Sequence, residues 1–170
     1  MGKDGTMRVE TPIGPLVVAA TEMGLVGVSF GGVNGKDVGN DGPPSVLAEV
    51  RRQLDAYFAG RRHSFDLPLD WSRTSGFQRK VLQELHAEIG FGWTVTYGEL
   101  AARVGHPEAS RAVGIAMASN PLPVVVPCHR VVASGGKLGG FGGGLETKRW
   151  LLTHEGALPP TLFPIENVAF

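Results

Sequence analysis

Within the first thirty residues, apolar and polar positions alternate in three runs, at 7–10, 16–20 and 25–30, with Pro12, Gly14 and Gly24 between them. A period of two puts one face of a strand on a core, so these runs predict a small antiparallel sheet. Residues 31–44 are rich in Gly, Asn and Asp and lack an apolar pattern, which predicts a solvent loop. From Ser45 the period lengthens: Val46, Leu47, Val50, Leu54, Tyr57 and Phe58 share one face of a helix that Gly60 can terminate. A short strand at 65–67 is expected to complete this part.

From about Arg73 the pattern is mostly helical. Phe77, Val81, Leu85 and Ile89 recur at intervals of four, with Gly90 following, and predict a helix with one buried stripe. Thr96 and Glu99 have the spacing of a capping box, which starts a helix at Tyr97 that runs through Leu100 and Val104 to Gly105. Pro107 suits the first turn of another helix, carrying Ala109, Ala112, Val113, Ala116 and Met117 toward Asn120. Two short helices joined by a tight Gly-containing turn outline a helix-turn-helix. A β-branched run at 124–126 reads as a strand, residues 135–144 as a Gly-rich loop, and residues 145–155 as a last helix stopped by Gly156. No internal repeat is visible. The fold class expected is α+β in two parts: 1–72, a small antiparallel sheet with a helix, and 73–170, mostly helical.

Composition narrows the function classes. The chain has 170 residues and 42% hydrophobic positions, enough for one respectable core or two small ones, and it is neither disordered nor collagen-like in character. No stretch approaches the roughly 18 uninterrupted apolar residues that cross a bilayer. The best signal-like segment, 15–20, is short and follows Glu10, so a cytoplasmic protein, nucleoid-associated in a prokaryote, is expected. Sixteen basic and sixteen acidic residues cancel overall. They are unevenly spread, however, with seven basic against nine acidic in 1–72 and nine against seven in 73–170. The mild positive excess places any anionic partner on the C-terminal part, where the helix-turn-helix outline lies.

One cysteine, Cys128, excludes an intrachain disulfide and a Cys-based zinc site. It leaves a buried small hydrophobe, an intermolecular bridge or a reactive nucleophile. Cysteine is among the most buried residue types, which favours the first. The context Pro127-Cys128-His129-Arg130 favours the last: a Pro-bounded turn offers unpaired N–H groups and two neighbours that favour thiolate over thiol. Side chains adjacent in sequence diverge, so His129 is expected to act as base through a bridging water. Glu155, at the end of the last helix, is the best-placed acid to orient the imidazole, although taken alone it also suits a solvated surface carboxylate.

Together with Asn120-Pro121, Thr96-Tyr97-Gly98-Glu99-Leu100-Ala101, Arg111-Ala112-Val113-Gly114, Gly142-Gly143-Gly144-Leu145, Lys148 and His154-Glu155-Gly156, the Pro-Cys-His-Arg segment resembles the O6-alkylguanine-DNA alkyltransferases. The likeness spans roughly 77–156, and the β-rich N-terminal part agrees in general form. It implies a ribonuclease H-like N-terminal fold and a winged-helix-like C-terminal one. It also implies direct-reversal DNA repair, in which a methyl or other alkyl group moves irreversibly from O6 of guanine, and less readily from O4 of thymine, onto Cys128. His129 would take the thiol proton and Glu155 would hold the imidazole. Asn120 would brace the turn before the cysteine, and Tyr97 would assist extrusion and departure of the base. The target atom is buried in the duplex, so the nucleotide must be flipped out. Arg111 would fill the gap, while Ala109, Ala112 and Gly114 would permit close approach to the minor groove. Backbone carbonyls of Cys128 and Val131 would read the guanine amino group.

Phe141 stands where many members have Tyr, which keeps a packing wall without a phenol, and Gly142 replaces a Ser of some members, leaving only a backbone N–H. With Val131 and Gly143 these form the expected base pocket. No cofactor and no metal are implied, and the expected partner is double-stranded DNA carrying O6-alkylguanine, with no membrane and no obligate protein partner for a monomer. Two other classes stay in view. An alkyltransferase-like binding module lacks the acceptor cysteine that Cys128 supplies, and a Cys-His hydrolase needs an opposed His and an oxyanion hole that the sequence does not indicate.

Overall fold

The computed structural model describes residues 5–31 and 44–158; most of the loop expected at 31–44 lies outside them. Two compact units, Met1–Thr74 and Ser75–Phe170, divide the chain.

In the first unit, β1 (Gly5–Val9), β2 (Leu16–Thr21) and β3 (Gly24–Phe30) form an antiparallel sheet in chain order. Met7 lies opposite Val18 and Val9 opposite Leu16, so the predicted alternation sets the register and these four side chains are buried together. Helix α1 (Pro44–Phe58) turns Leu47, Val50, Leu54 and Tyr57 inward. The strand expected at 65–67 does not form. The buried Gln53 side chain donates to the Asp66 carbonyl at 3.0 Å and accepts from the Asp66 N–H at 2.8 Å. An amide side chain thus satisfies backbone groups that a neighbouring strand would otherwise pair. Just beyond this segment the chain meets the sheet at an isolated Leu25–Leu69 bridge and through the Thr21 hydroxyl, which donates to the Asp70 carboxylate.

The second unit comprises α2 (Gly76–Glu88), β4 (Val95–Thr96), α3 (Tyr97–Arg103), α4 (Ser110–Ala118), a 3₁₀ turn (Cys128–Arg130), β5 (Val131–Val132) and α5 (Leu145–His154). Its core gathers Val81, Leu82 and Leu85 of α2, Leu100 of α3, Val113 and Ala116 of α4, and Leu151 and Leu152 of α5. The capping box is present in both directions: Glu99 N–H donates to Thr96 Oγ1 at 3.0 Å, and Thr96 N–H to Glu99 Oε1 at 2.8 Å. It fixes the start of α3, and α3 packs against α4 as the helix-turn-helix outline requires. Pro107 is not in the first turn of α4. It sits in a separate turn, in which Ala109 N–H bonds the His106 carbonyl at 2.9 Å, and the helix begins only at Ser110.

The β-branched run at 124–126 is likewise a turn and not a strand. Val126 N–H donates to the Leu122 carbonyl at 2.8 Å, and Val124 is left-handed at φ 72°. That conformation costs a β-branched residue on the order of 1–3 kcal/mol, so the surroundings must impose it. Asn120 does so: its Nδ2 donates to the Val126 carbonyl and its Oδ1 accepts from Leu122 N–H, both at 2.9 Å. Burial of Val124, Val125 and Val126 then retains an apolar run without strand pairing.

Candidate functional site

The turn that Asn120 closes delivers the chain to Pro127, whose φ −81° and ψ 67° make an inverse γ-turn, with Cys128 N–H bonded to the Val126 carbonyl at 2.8 Å. The chain then tightens into the 3₁₀ turn, where Arg130 N–H bonds the Pro127 carbonyl at 2.9 Å. Proline's fixed φ and the Asn120 bracket therefore place Cys128 at the start of a short, rigid turn. The cysteine is buried and borders a cavity of about 290 Å³ together with Tyr97, Gly114, Met117, Ala118, Gly140, Phe141 and Gly142. The wall is mainly apolar, suited to a flat ligand of modest size.

Burial changes the expectation for the thiol. It pushes Cys128 up to about 11, outweighing a hydrogen bond from Asn120 and the charge of Lys148. His129 and Arg130, expected to favour the thiolate, are both turned toward Glu155. His129 Nε2 lies 2.9 Å from Glu155 Oε2, while Arg130 donates from Nε to Oε1 at 2.8 Å and from Nη2 to Oε2 at 3.0 Å. All three groups are buried. Burial disfavours ionisation of Glu155, but the hydrogen bonds and charges of His129 and Arg130 override it and hold the carboxyl at about 2. A carboxylate only accepts, so the hydrogen of His129 sits on Nε2. Its Nδ1, buried and without a hydrogen-bond partner among the described residues, is then the basic nitrogen.

Glu155 owes its place to the way α5 ends. Gly156 N–H returns to the Thr153 carbonyl and Ala157 N–H to the Leu152 carbonyl, a Schellman motif that needs the left-handed conformation of Gly156, φ 77°. The helix accordingly stops at His154, with Glu155 as its cap and its side chain directed inward.

Two residues that spacing did not single out complete the centre. Lys148 is fully buried and donates from Nζ to the Val131 carbonyl at 2.7 Å and the Gly140 carbonyl at 3.0 Å, tying β5 to the cavity loop. Burial lowers its ammonium to about 8. A lysine sharing a helix face with Leu151, Leu152 and Glu155 is the signal that could have found it. Arg130 carried a different signal, since its position beside the thiol suggested a cation that favours the thiolate.

The remaining candidates are more dispersed. Tyr97 and Gly114 line the cavity with Phe141 and Gly142; burial raises the Tyr97 phenol, against a backbone hydrogen bond from Gly140. Gly139 passes so close that a Cβ there would lie 2.7 Å from the Tyr97 hydroxyl. Val131 and Gly143, expected in the base pocket, are absent from the described lining. Val131 is turned into the core by pairing with Val95, and its carbonyl is taken by Lys148. Arg111 and Ala112 are exposed on α4, whereas Ala109 is half-buried before it. Among the described residues no cluster of three or more His, Cys, Asp or Glu side chains is placed to hold a metal ion, and no helix is long and apolar enough to cross a membrane.

Comparison with known proteins covers both units. Residues 6–71 match the family model described as 6-O-methylguanine DNA methyltransferase, ribonuclease-like domain, and residues 76–157 match that of its DNA binding domain. A methylated-DNA--protein-cysteine methyltransferase of Methanosarcina acetivorans is 45% identical, aligned over 87% of this chain and 96% of its own length. The protein of that name from Rattus norvegicus is 38% identical over 87% and 80%. Among solved structures, the O6-methylguanine methyltransferase of Mycobacterium tuberculosis superposes with a TM-score of 0.77 at 36% identity, covering 94% of this chain and 96% of that one. The structure of OGT from the same organism in complex with DNA gives 0.76 at 38% identity, covering 91% and 92%.

Proposed function

This chain belongs to the 6-O-methylguanine DNA methyltransferase family, and from that membership we propose that it repairs DNA by drawing an O6-alkylated guanine into the Cys128 cavity and taking the alkyl group onto sulfur. The observation that carries the proposal is the position of Cys128 on a base-sized cavity with the His129–Glu155 pair beside it. In the reaction the sulfur attacks the alkyl carbon. The S–C bond forms as the C–O6 bond breaks, and the thiol proton passes to His129 through a water and from there to a ring nitrogen of the departing guanine, so the hydrogen lost by the thiol is the one the free base gains. A thiol held near 11 reacts too little by prior ionisation, so proton removal by His129 Nδ1 accompanies attack. The thioether is stable and nothing in the site regenerates the thiol, so each molecule acts once.

Extrusion of the base is assigned to α4. Arg111, exposed in its first turn, would fill the space left in the stack, entering from the minor groove with Ala112 and Gly114 allowing close approach. Tyr97 would contact the base or the phosphate beside it, and Phe141 and Gly142 would form the wall against which the base lies. O4-alkylthymine is the secondary substrate in this scheme, and the protein acts as a monomer.

Mixing the protein with duplex DNA that carries one O6-methylguanine is expected to add a single methylene mass to the peptide containing Cys128. An unmodified Cys128 under stoichiometric excess of that DNA would sink the proposal. A second measurement addresses α4: Arg111→Ala should slow repair of the duplex by about tenfold or more, while the reaction with free O6-benzylguanine changes little, because unstacking costs a few kcal/mol only in DNA. Equal losses on both substrates would remove Arg111 from that role.

A further inference from the structure

The buried centre behind the cysteine holds one carboxylate and two groups able to be cations, and its geometry shows which of them claims the charge. Arg130 engages Glu155 through Nε and Nη2 and spends its third arm, Nη1, on the Ile89 carbonyl at 2.6 Å, so the guanidinium is locked at the end of α2 as well as on α5. His129 reaches the same carboxylate through one nitrogen only. Side-chain exposure is 8% for Arg130 and 0% for both His129 and Glu155, so solvent cannot balance an extra charge.

We propose that Arg130 is a positioning residue that neutralises Glu155 and thereby keeps His129 an uncharged imidazole, with Nε2–H on the carboxylate and Nδ1 open to receive the Cys128 proton. A buried carboxylate makes its histidine partner more basic, so without Arg130 a larger share of His129 would rest as the imidazolium, which accepts nothing. With Arg130 in place, the Glu155–Arg130–His129 group is neutral before the thiol proton arrives and carries one positive charge after it, next to the sulfur that has just lost that proton. The other ionisable groups facing the centre act in the same sense or are neutral. Lys148 of α5 adds a positive charge that opposes a protonated His129, and burial also pushes His129 down, overriding its carboxylate partner. Cys128 is held as the thiol. On α2, His86 makes a 3.3 Å contact with the Val125 carbonyl, and burial, with Arg130 nearby, keeps its imidazole neutral. The inference rests on the reading of His129 as base to Cys128.

The test is the pH dependence of single-turnover transfer from free O6-benzylguanine, paired with ¹⁵N NMR of the His129 ring. In the unaltered protein the ring should carry hydrogen on Nε2 alone at pH 7; a doubly protonated ring overturns the inference. Arg130→Met should move the acidic limb of the rate profile up by about one unit or more, because the carboxylate's charge passes to His129. Arg130→Lys, which keeps the charge, should return the limb toward its original position even where it lowers stability. A limb unmoved in Arg130→Met overturns the inference. Should that variant fail to fold, a doubly protonated ring in the unaltered protein still overturns the inference, and the limb position in Arg130→Lys against Arg130→Gln supplies the comparison. The NMR result is also independent of transfer: a protein that moves no alkyl group refutes the proposed function, while a change of the His129 ring state between the unaltered protein and Arg130→Met still reports on Arg130.

Discussion

Replacing Cys128 with serine is expected to abolish alkyl transfer to the limit of detection while leaving affinity for lesion-bearing duplex DNA within about threefold, a difference well under 1.4 kcal/mol. The hydroxyl that replaces the thiol is far harder to ionise and less nucleophilic, and no second thiol exists in the chain to take over. The substitution removes little volume, and Asn120, which bonds the sulfur, retains its bonds to Val126 and Leu122 and with them the shape of the turn. Mass spectrometry and a DNA titration on the same preparation check both halves. Residual transfer at a tenth of the original extent would point to another acceptor and contradict the scheme.

Glu155→Ala should destabilise the fold by about 3–5 kcal/mol, the usual cost of stranding one partner of a buried ion pair. It leaves the Arg130 guanidinium buried with the Ile89 carbonyl as its remaining hydrogen-bond partner of those described above, and it frees His129 Nε2. Against a typical total of 5–15 kcal/mol this is a large fraction, readable as a fall in the urea midpoint. The pH dependence carries its own sign. Glu155 has its carboxyl lowered to about 2 in the folded state, so its stabilisation is complete above the ordinary carboxylate value of 4.5 and is lost as pH falls from there toward 2. The unaltered protein should therefore weaken across that window, and Glu155→Ala should show a shallower loss there. A midpoint shift corresponding to less than 1 kcal/mol would mean that solvent reaches Arg130 after all.

Much of this arrangement was legible in the residues. Strand alternation fixed the sheet, because each one-residue slip would expose Met7, Val9, Leu16 and Val18 together. The Thr96–Glu99 spacing located the start of α3, and Gly156 located the end of α5, since both depend on local bonds that short-range sequence specifies. Two of the departures arose where a side chain did the work of backbone. Gln53 took the partners a strand at 65–67 would have had, and Asn120 bent three valines that by propensity belong in a strand. The same limit governed the site. Sequence adjacency put Arg130 beside the thiol, but the turn sends it to a carboxylate twenty-five positions away. Burial then reversed the expected direction of the Cys128 shift, because desolvation is a property of the folded surroundings and not of neighbouring letters.

The protonated state of Cys128 has a consequence for storage. A molecule that can react only once is wasted by any stray oxidant or electrophile, and such agents attack thiolate far faster than thiol. Burial that suppresses ionisation therefore acts as a safety catch: it trades resting reactivity for shelf life, so a copy made long before damage occurs is still unspent when a modified base arrives.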